Sequence, residues 1–534
     1  MTLSQGPWWR GATIYQIYPR SFADSNGDGI GDLPGITAHL DHIASLGVDA
    51  IWISPFFTSP MADFGYDVAD YRDVDPIFGT LSDFDALVAR AHGSGLKVMI
   101  DMVFAHTSDA HPWFAQSRAD KTNAHADWYV WRDANPDGTP PNNWQSVFGG
   151  PAWTWDARRQ QYYMHQFLKE QPQLNGHNPA VQEACLDVLR FWLDRGVDGF
   201  RLDALNHAMF DPGFADNPVA ADNGKPRTRP YDFQAKVNSM NHPDVVGFVE
   251  RIAAVCQAAG ATFTVAEIGG DDADPLMKAY TAGEGRLSSA YSFDFLYAER
   301  LTADLVARTQ ALWDGAPDAD GRAQGWPSWA FENHDAPRHV SRWVGAEHRD
   351  AYARMTMALL MALRGNAFLY QGQELGLTQD DIPFHLLQDP EAIANWPLTL
   401  SRDGVRTPMP WQVQDEQGGF TKGAPWLPLS PENIARAVDR QEADPQSQLA
   451  ITRQIIALRR AHRALAVGAM EDLRVEGDLL TFTRREGGEA VACTFNLGGE
   501  TIAHAAPEGQ ILLALNGADG GQLPPYAAHF ILSA

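Results

Sequence analysis

Acidic residues stand directly behind apolar runs at four places, with basic partners close by. The segments are Asp101-Met-Val-Phe-Ala-His106, Gly199-Phe-Arg-Leu-Asp-Ala204, Ala266-Glu267 and Phe331-Glu-Asn-His-Asp335. A carboxylate that follows Val, Ala, Phe or Leu is drawn into a half-buried position, where desolvation raises its pKa unless a cation or hydrogen bond offsets it. Arg201 precedes Asp203 by two residues and on a strand points to the same side, which predicts an ionised Asp203 at neutral pH. Glu267 has no neighbouring base in sequence, which predicts a raised pKa and a proton to donate. An ionised carboxylate beside a protonated one is what glycoside hydrolysis with retention needs. A single acid at a strand end is more often a cap or an ion-pair partner. Three of them, Asp203, Glu267 and Asp335, with His106, His207 and His334 beside them, argue against a purely structural account.

Such groups must be positioned by a scaffold, and the sequence reads as one. Short apolar runs at 13–17, 50–54, 98–103, 199–202, 262–266, 290–293, 328–331 and 367–370 alternate with helical periodicity at 36–46, 84–91, 181–193, 245–258 and 352–363. This is the pattern of βαβ units, and eight of them predict an α/β fold, a (β/α)₈ TIM barrel whose strand ends carry the acids. Strands of a ~250-residue barrel should start ~31 residues apart, yet Val98 and Gly199 are about 100 apart. The excess is read as an inserted subdomain, 105–176, after strand three. Six of the chain's 17 tryptophans fall in it, most expected to form a small core. A second excursion, 211–242, has neither period and is read as an active-site loop. Beyond a helix at 449–463, the alternation at 479–484 and 490–497 around Gly487-Gly488, and a last run at 529–532, predict a C-terminal antiparallel β domain. The boundaries expected are 1–104 and 177–465 for the barrel, 105–176 for the insertion and 466–534 for the tail.

The four acid-bearing segments resemble the signature regions of glycoside hydrolase family 13, the α-amylase family. Gln171-Pro-Gln-Leu-Asn175 and Gly29-Ile-Gly-Asp-Leu33 resemble its α-glucosidase and oligo-1,6-glucosidase branch. The resemblance implies Asp203 as nucleophile, Glu267 as general acid and base, and Asp335 as transition-state stabiliser. It implies that His106, Arg201 and His334 grip the sugar at the cleaved bond, and that Asp63 and Arg402 bind the outermost hydroxyls. Tyr66 would be a stacking platform, with Phe148, Phe167 and Gln171 lining the pocket. Two positions depart from the pattern: Ala105 where the family usually has Asn, and Gln173 where the branch usually has Asp. The activity implied is a retaining exo-α-glucosidase acting on small α-glucosides such as maltose, with transfer to a sugar hydroxyl as an option of the same intermediate. Ala204, after the nucleophile, implies α-1,4 preference, because the family pairs a small residue or Thr there with α-1,4 cleavage and Val with α-1,6. An α-1,6-specific oligoglucosidase and a sucrose-acting glucosyltransferase are the alternatives on the same fold. A silent binding subunit would show the loss of an acid, and all three are present. A metal-dependent amidohydrolase would need a His-x-His pair near the end of strand one, and 14–22 has no histidine.

Asp24-Ser-Asn-Gly-Asp-Gly-Ile-Gly-Asp32 places oxygen ligands at alternate positions with Gly29 at the turn, like the first half of a calcium loop. Position twelve is Gly35 in place of the bidentate Glu, so the alternative is a metal-free turn. The resemblance favours a structural Ca2+ held by Asp24, Asn26, Asp28, the Ile30 carbonyl and Asp32.

Composition bounds the rest. With 41 Lys+Arg against 67 Asp+Glu among 534 residues, the net charge is −26, which disfavours nucleic acid and anionic lipid as partners. The apolar run 355–363 is too short to cross a bilayer. Three widely spaced cysteines suit a reducing compartment, and residues 1–10 show no leader, so a cytoplasmic location is expected. Oligomeric state is not legible.

Overall fold

The acids are carried by eight parallel strands. These are β1 (Thr13–Ile17), β2 (Ala50–Ile53), β3 (Lys97–Val103), β4 (Gly199–Asp203), β5 (Phe263–Ile268), β6 (Ser289–Ser292), β7 (Ser328–Trp329) and β8 (Asn366–Tyr370). The computed structural model describes residues 7–222, 224, 226–260, 262–270, 273–313, 325–399 and 401–533. The first six residues, part of the stretch read for a leader, lie outside the described residues. The strands form one sheet in the order β6-β5-β4-β3-β2-β1-β8-β7. A parallel bridge between Ala290 and Pro327 closes it into a barrel. The β1–β8 junction is fastened by the Gly11 amide, which donates to the Asn366 side chain 355 residues away. Nearly every strand residue is buried, as expected where helices cover one face and side-chain layers fill the other.

The helices start where the sequence supplies caps. Thr80 and Asp83 form a capping box for Leu81–Gly93, Asn178 caps Pro179–Asp194 with Pro179 in its first turn, and Ser447 caps Gln448–Ala461. Two expectations are corrected. The 36–46 helix is two short helices, Leu33–Ala38 and Leu40–Ser45, broken at His39, whose ring bonds back to the Gly35 carbonyl. Strand seven ends at Trp329, short of the Phe331 expected, and beyond it the Asn333 side chain accepts the amides of Asp335 and Ala336 and turns the chain.

The stretch after β3 contains a three-stranded antiparallel sheet, Trp131–Arg132, Gln161–Met164 and Trp153–Asp156. Trp131, Trp144 and Trp153 are buried there, and Trp155 is exposed. In 211–242 the described residues hold one 3₁₀ turn, Pro230–Phe233, and Arg229 ties it to the Val147 carbonyl and to Glu391. The tail is a five-stranded antiparallel sheet, with Ala469–Glu476 and Gln510–Leu515 added to the three strands expected. Gly487 and Gly488 both take positive φ, the geometry of a two-residue hairpin. Arg484, buried, fastens tail to barrel by donating to the Ala362 carbonyl as well as to Gly468, and Arg459, also buried, ties the helix before the tail to the barrel by donating to the carbonyls of Gly11, Met361, Leu363, Gly365 and Leu465. The three cysteines are free and buried. No helix among the described residues is long and apolar enough to cross a membrane.

Candidate active site

Arg201, fully buried on β4, organises the carboxylates at the barrel mouth. Its Nη1 donates to Asp101 at 2.8 Å and to Asp203 at 2.6 Å, and its Nη2 is ion-paired with Glu267. This corrects one expectation: the cation serves both catalytic candidates, so it does not by itself set Asp203 apart from Glu267. Burial pushes both carboxyls up to about 7, with Arg201 opposing the shift in each. What differs is their hydrogen bonding. Glu267 accepts the Tyr291 hydroxyl at 3.0 Å and the Ala204 amide at 3.3 Å. Ala204 holds φ 40° and ψ 40°, a left-handed conformation directly after Asp203, which costs about 1 kcal/mol or more for a residue with a Cβ.

Asp335 is the opposite case. It accepts from Arg406 at 2.6 Å and Arg402 at 3.3 Å, with His334 at 3.1 Å. Burial alone would raise its pKa, but His334 and the two guanidiniums hold it well below the usual carboxylate range. His334 itself is pushed down to about 3 by burial and is neutral. The Gln16 amide donates to its Nδ1, so the proton sits on Nε2, facing Asp335 and the Tyr66 hydroxyl.

All twelve residues expected to catalyse or to bind substrate come together. Asp101 accepts from Tyr66 at 3.2 Å, and Tyr66 lies parallel to His334 at 5.4 Å between ring centroids. Arg402 bonds Asp63 at 3.1 Å as well as Asp335, and Gln171 donates to Asp63 at 3.1 Å. Gln171 also meets His106, whose ring contacts Phe167, which meets Phe148 edge-on. Phe148 lies under the Arg402 guanidinium at 5.0 Å. The contacts thus close a ring of side chains around the mouth. Burial raises Asp63 to about 6 and lowers His106 to about 4. His207 stands behind the wall, its Nδ1 on Gln166 at 2.7 Å. The two departures from the family pattern lie in the same layer: Gln173 donates to the His207 carbonyl, and Ala105 is fully buried.

Several members of the site were not foreseen. Asp389 accepts the Arg402 amide, Nε and Nη2, and so fixes that side chain. Arg406 and Asp389 sit on connecting segments without period and give no sequence signal. Tyr291 could have been found, as an aromatic at an inward position of β6.

The Asp24–Asp32 loop lies apart from these acids. Gly29 takes φ 92°, and a Cβ there would sit 1.9 Å from the Ala424 carbonyl oxygen, so only glycine lets the turn pack. Asp24, Asn26 and Asp28 each accept the amide two residues on. Asp32 caps Leu33–Ala38 through one oxygen and holds Ser25 with the other. The donor set is all oxygen, and Asp28 Oδ2 and the Ile30 carbonyl have no partner among the described residues. That chemistry fits a hard cation.

Residues 16–468 match the family description "alpha amylase, catalytic domain". The chain belongs to the α-amylase family. This glycoside hydrolase is 52% identical to a probable alpha-glucosidase of Rhizobium meliloti (strain 1021), over 94% of this chain and 91% of that protein. It is 34% identical to an oligo-1,6-glucosidase of Parageobacillus thermoglucosidasius, over 94% and 92% respectively. Its fold superposes with a TM-score of 0.93 on the crystal structure of the alpha-glucosyl transfer enzyme XgtA, at 48% identity, covering 99% of this chain and all of the other. The α-glucosidase branch of family 13 is thereby its place.

Proposed function

We propose that this enzyme is a retaining exo-α-glucosidase that releases terminal glucose from short α-glucosides through a covalent glucosyl–enzyme intermediate. In the first step an Asp203 oxygen bonds to the anomeric carbon while the bond to the leaving oxygen breaks, and Glu267 gives that oxygen its proton. In the second, Glu267 takes a proton from water and the water oxygen displaces Asp203. The observation that carries this reading is the single Arg201 guanidinium holding Asp203 and Glu267 at its two ends. Two carboxylates on one fork are close neighbours, in keeping with the ~5–5.5 Å that retention requires. Asp335, kept ionised by Arg406 and Arg402, would stabilise the positive charge that develops on the sugar ring.

Exo action is supported by the Asp63–Arg402 pair, which narrows the mouth beyond the first sugar. His106 Nδ1, buried and without a protein partner among the described residues, would meet a sugar hydroxyl. Transfer in place of hydrolysis is a second reading, favoured by the likeness to XgtA. Products from maltose, isomaltose, sucrose and amylose, followed by chromatography and by proton NMR of the first anomer released, test both. Glucose released first as the α-anomer from maltose is expected; a β-anomer first would overturn retention, and shortening of internal amylose bonds would overturn exo action.

The Asp24–Asp32 loop is proposed to hold Ca2+ through Asp24, Asn26, Asp28, the Ile30 carbonyl and Asp32. The ion would neutralise converging oxygens and brace the turn after β1. Asp24 suits this role: burial opposes ionisation, but hydrogen bonds from Thr421, Gly27, Gly29 and Asn26 hold its pKa below the ordinary value. A cytoplasmic location and small α-glucosides such as maltose as substrates belong to the same proposal.

A further inference from the structure

Among the described residues, His177, His242 and Asp244 are the one trio of His, Cys, Asp or Glu side chains whose ligand atoms lie within 4.8 Å of one another. They come from two separate segments. His177 follows the insertion, just ahead of Pro179–Asp194, and His242 and Asp244 close the 211–242 excursion ahead of the helix Val245–Ala258. No hydrogen bond or ion pair joins them to Asp203, Glu267 or Asp335.

The hydrogen bonds around the trio say which atoms face inward. His177 Nε2 lies 2.7 Å from the Phe210 carbonyl oxygen. A carbonyl can only accept, so Nε2 carries the proton and the neutral ring keeps its lone pair on Nδ1. The Asp244 amide donates to His242 Nδ1 at 3.3 Å, which makes that nitrogen an acceptor too. Asp244 Oδ2 stands 3.5 Å from His242 Nδ1 and 3.7 Å from His177 Nδ1. The Asp244 carboxylate caps nothing at the start of its helix. Three acceptor atoms therefore converge, and the hydrogen they meet is that of the Asp244 amide, held by His242 Nδ1 in a long bond that a metal would displace, an arrangement that favours entry of a positive charge.

We propose that these three residues form a site for a divalent transition metal, with Zn2+ the natural occupant. Ligand bonds of ~2.0–2.1 Å in a tetrahedron put neighbouring ligand atoms about 3.3–3.4 Å apart. The two spacings from Asp244, 3.5 and 3.7 Å, need a few tenths of an ångström of closure, and the histidine nitrogens, which lie within 4.8 Å of each other, would draw together to the same separation. Two imidazoles and one carboxylate select zinc, copper or nickel over calcium and magnesium. The bond from His177 to the Phe210 carbonyl is the outer support that orients a ligating histidine. Asp244 is exposed and both rings are partly so, which gives an ion a route in. A metal here would staple the end of the 211–242 excursion to the segment returning from the insertion. Because Arg229 in that excursion reaches Val147 and Glu391 beside the mouth, the staple would steady one rim of the substrate entrance from outside the reacting groups.

The competing account is a proton on one ring, giving a histidine–aspartate ion pair and nothing more. Chelator-stripped full-length enzyme titrated with ZnCl2 alone, by calorimetry in a non-coordinating buffer, separates the two. One tight equivalent is expected, weakened at least ~10-fold in both His242→Gln and His177→Gln. Cu2+ substituted into the stripped protein should give an electron paramagnetic resonance spectrum with coupling to two imidazole nitrogens. Hydrogen exchange across 211–244 should slow on Zn2+ addition in the unmodified enzyme and not in His242→Gln. Absence of a tight equivalent, or tight binding that both variants keep undiminished, would overturn the proposal. His242 is partly exposed and its replacement leaves the acids untouched, so maltose turnover in that variant reports that the fold is intact.

Discussion

Tyr291 on β6 donates its hydroxyl to Glu267 Oε1 at 3.0 Å and receives Arg201 Nε at 3.2 Å. It thus links the proposed general acid to the cation that also holds Asp203. A hydrogen bond to the ionised form favours that form, so Tyr291 restrains the rise that burial gives Glu267, to about 7. The Tyr291→Phe variant loses this restraint, and the pKa of Glu267 moves up. In the proposed first step Glu267 must be protonated, so activity should persist to higher pH. The alkaline limb of kcat/KM against pH is expected to move up by about 0.5–1 unit, as loss of a ~1 kcal/mol hydrogen bond implies. A limb that stays in place or moves down would contradict the assignment.

Replacing Asp203 or Glu267 by its amide should lower kcat by at least ~10³, about 4 kcal/mol of barrier. The roles separate on adding azide. With Asp203→Gly the anion occupies the nucleophile's place and yields the β-glucosyl azide, whereas with Glu267→Ala it attacks the glucosyl–enzyme and yields the α-azide. A β-azide from the Glu267 variant, read by NMR, would exchange the two roles.

Ala204 bears on linkage. A β-branched residue at this position would crowd the leaving sugar, and one or two methyl groups are worth ~1–3 kcal/mol in a pocket. Maltose should be preferred over isomaltose, and Ala204→Val should move the kcat/KM ratio towards isomaltose by roughly 10-fold or more. The left-handed backbone at Ala204 adds a second effect, since a β-branched residue at positive φ is strained. The variant should therefore also melt at a lower temperature, with a loss of about 1–3 kcal/mol. An unchanged ratio in a folded variant would remove Ala204 from the specificity argument.

If the Asp24–Asp32 loop holds Ca2+ as proposed, chelation should lower the melting temperature and leave initial rates at low temperature nearly unchanged, because the loop holds none of the three acids. Calcium alone should restore the melting point, and should do so in His242→Gln as well. Immediate loss of activity with an unmoved melting point would assign the ion a different role.

The barrel and its acids were legible because they rest on short-range rules. Strands such as Thr13–Ile17 and Lys97–Val103 are mostly apolar, and Asp203 and Glu267 stand at or next to the last residue of theirs. Where the chain leaves periodic structure, legibility fails. Asp389 and Arg406 reach the site from connections whose course depends on tertiary packing, as do the Arg402 contacts that Asp389 fixes. The shared use of Arg201 could not be read, because Glu267 is its neighbour only through the pairing of β4 with β5. The left-handed turn at Ala204 leaves no trace in the residue type. Equally hidden were Ala469–Glu476 and Gln510–Leu515, whose side chains mostly face water and blur the alternation.

The contact between Gly11 and Asn366 has a consequence for biosynthesis. Strand β1 leaves the ribosome well before its partner β8, which lies about 350 residues downstream. At ~5–20 residues per second that interval lasts roughly 20–70 s. Throughout it Thr13–Ile17, wholly buried in the finished barrel, has one open edge and no neighbour to fill it. Arg459 and Arg484, which close the carbonyls around this junction, arrive later still. Ring closure thus waits for β8, and the nascent enzyme must be shielded at that edge until Asn366–Tyr370 has been made.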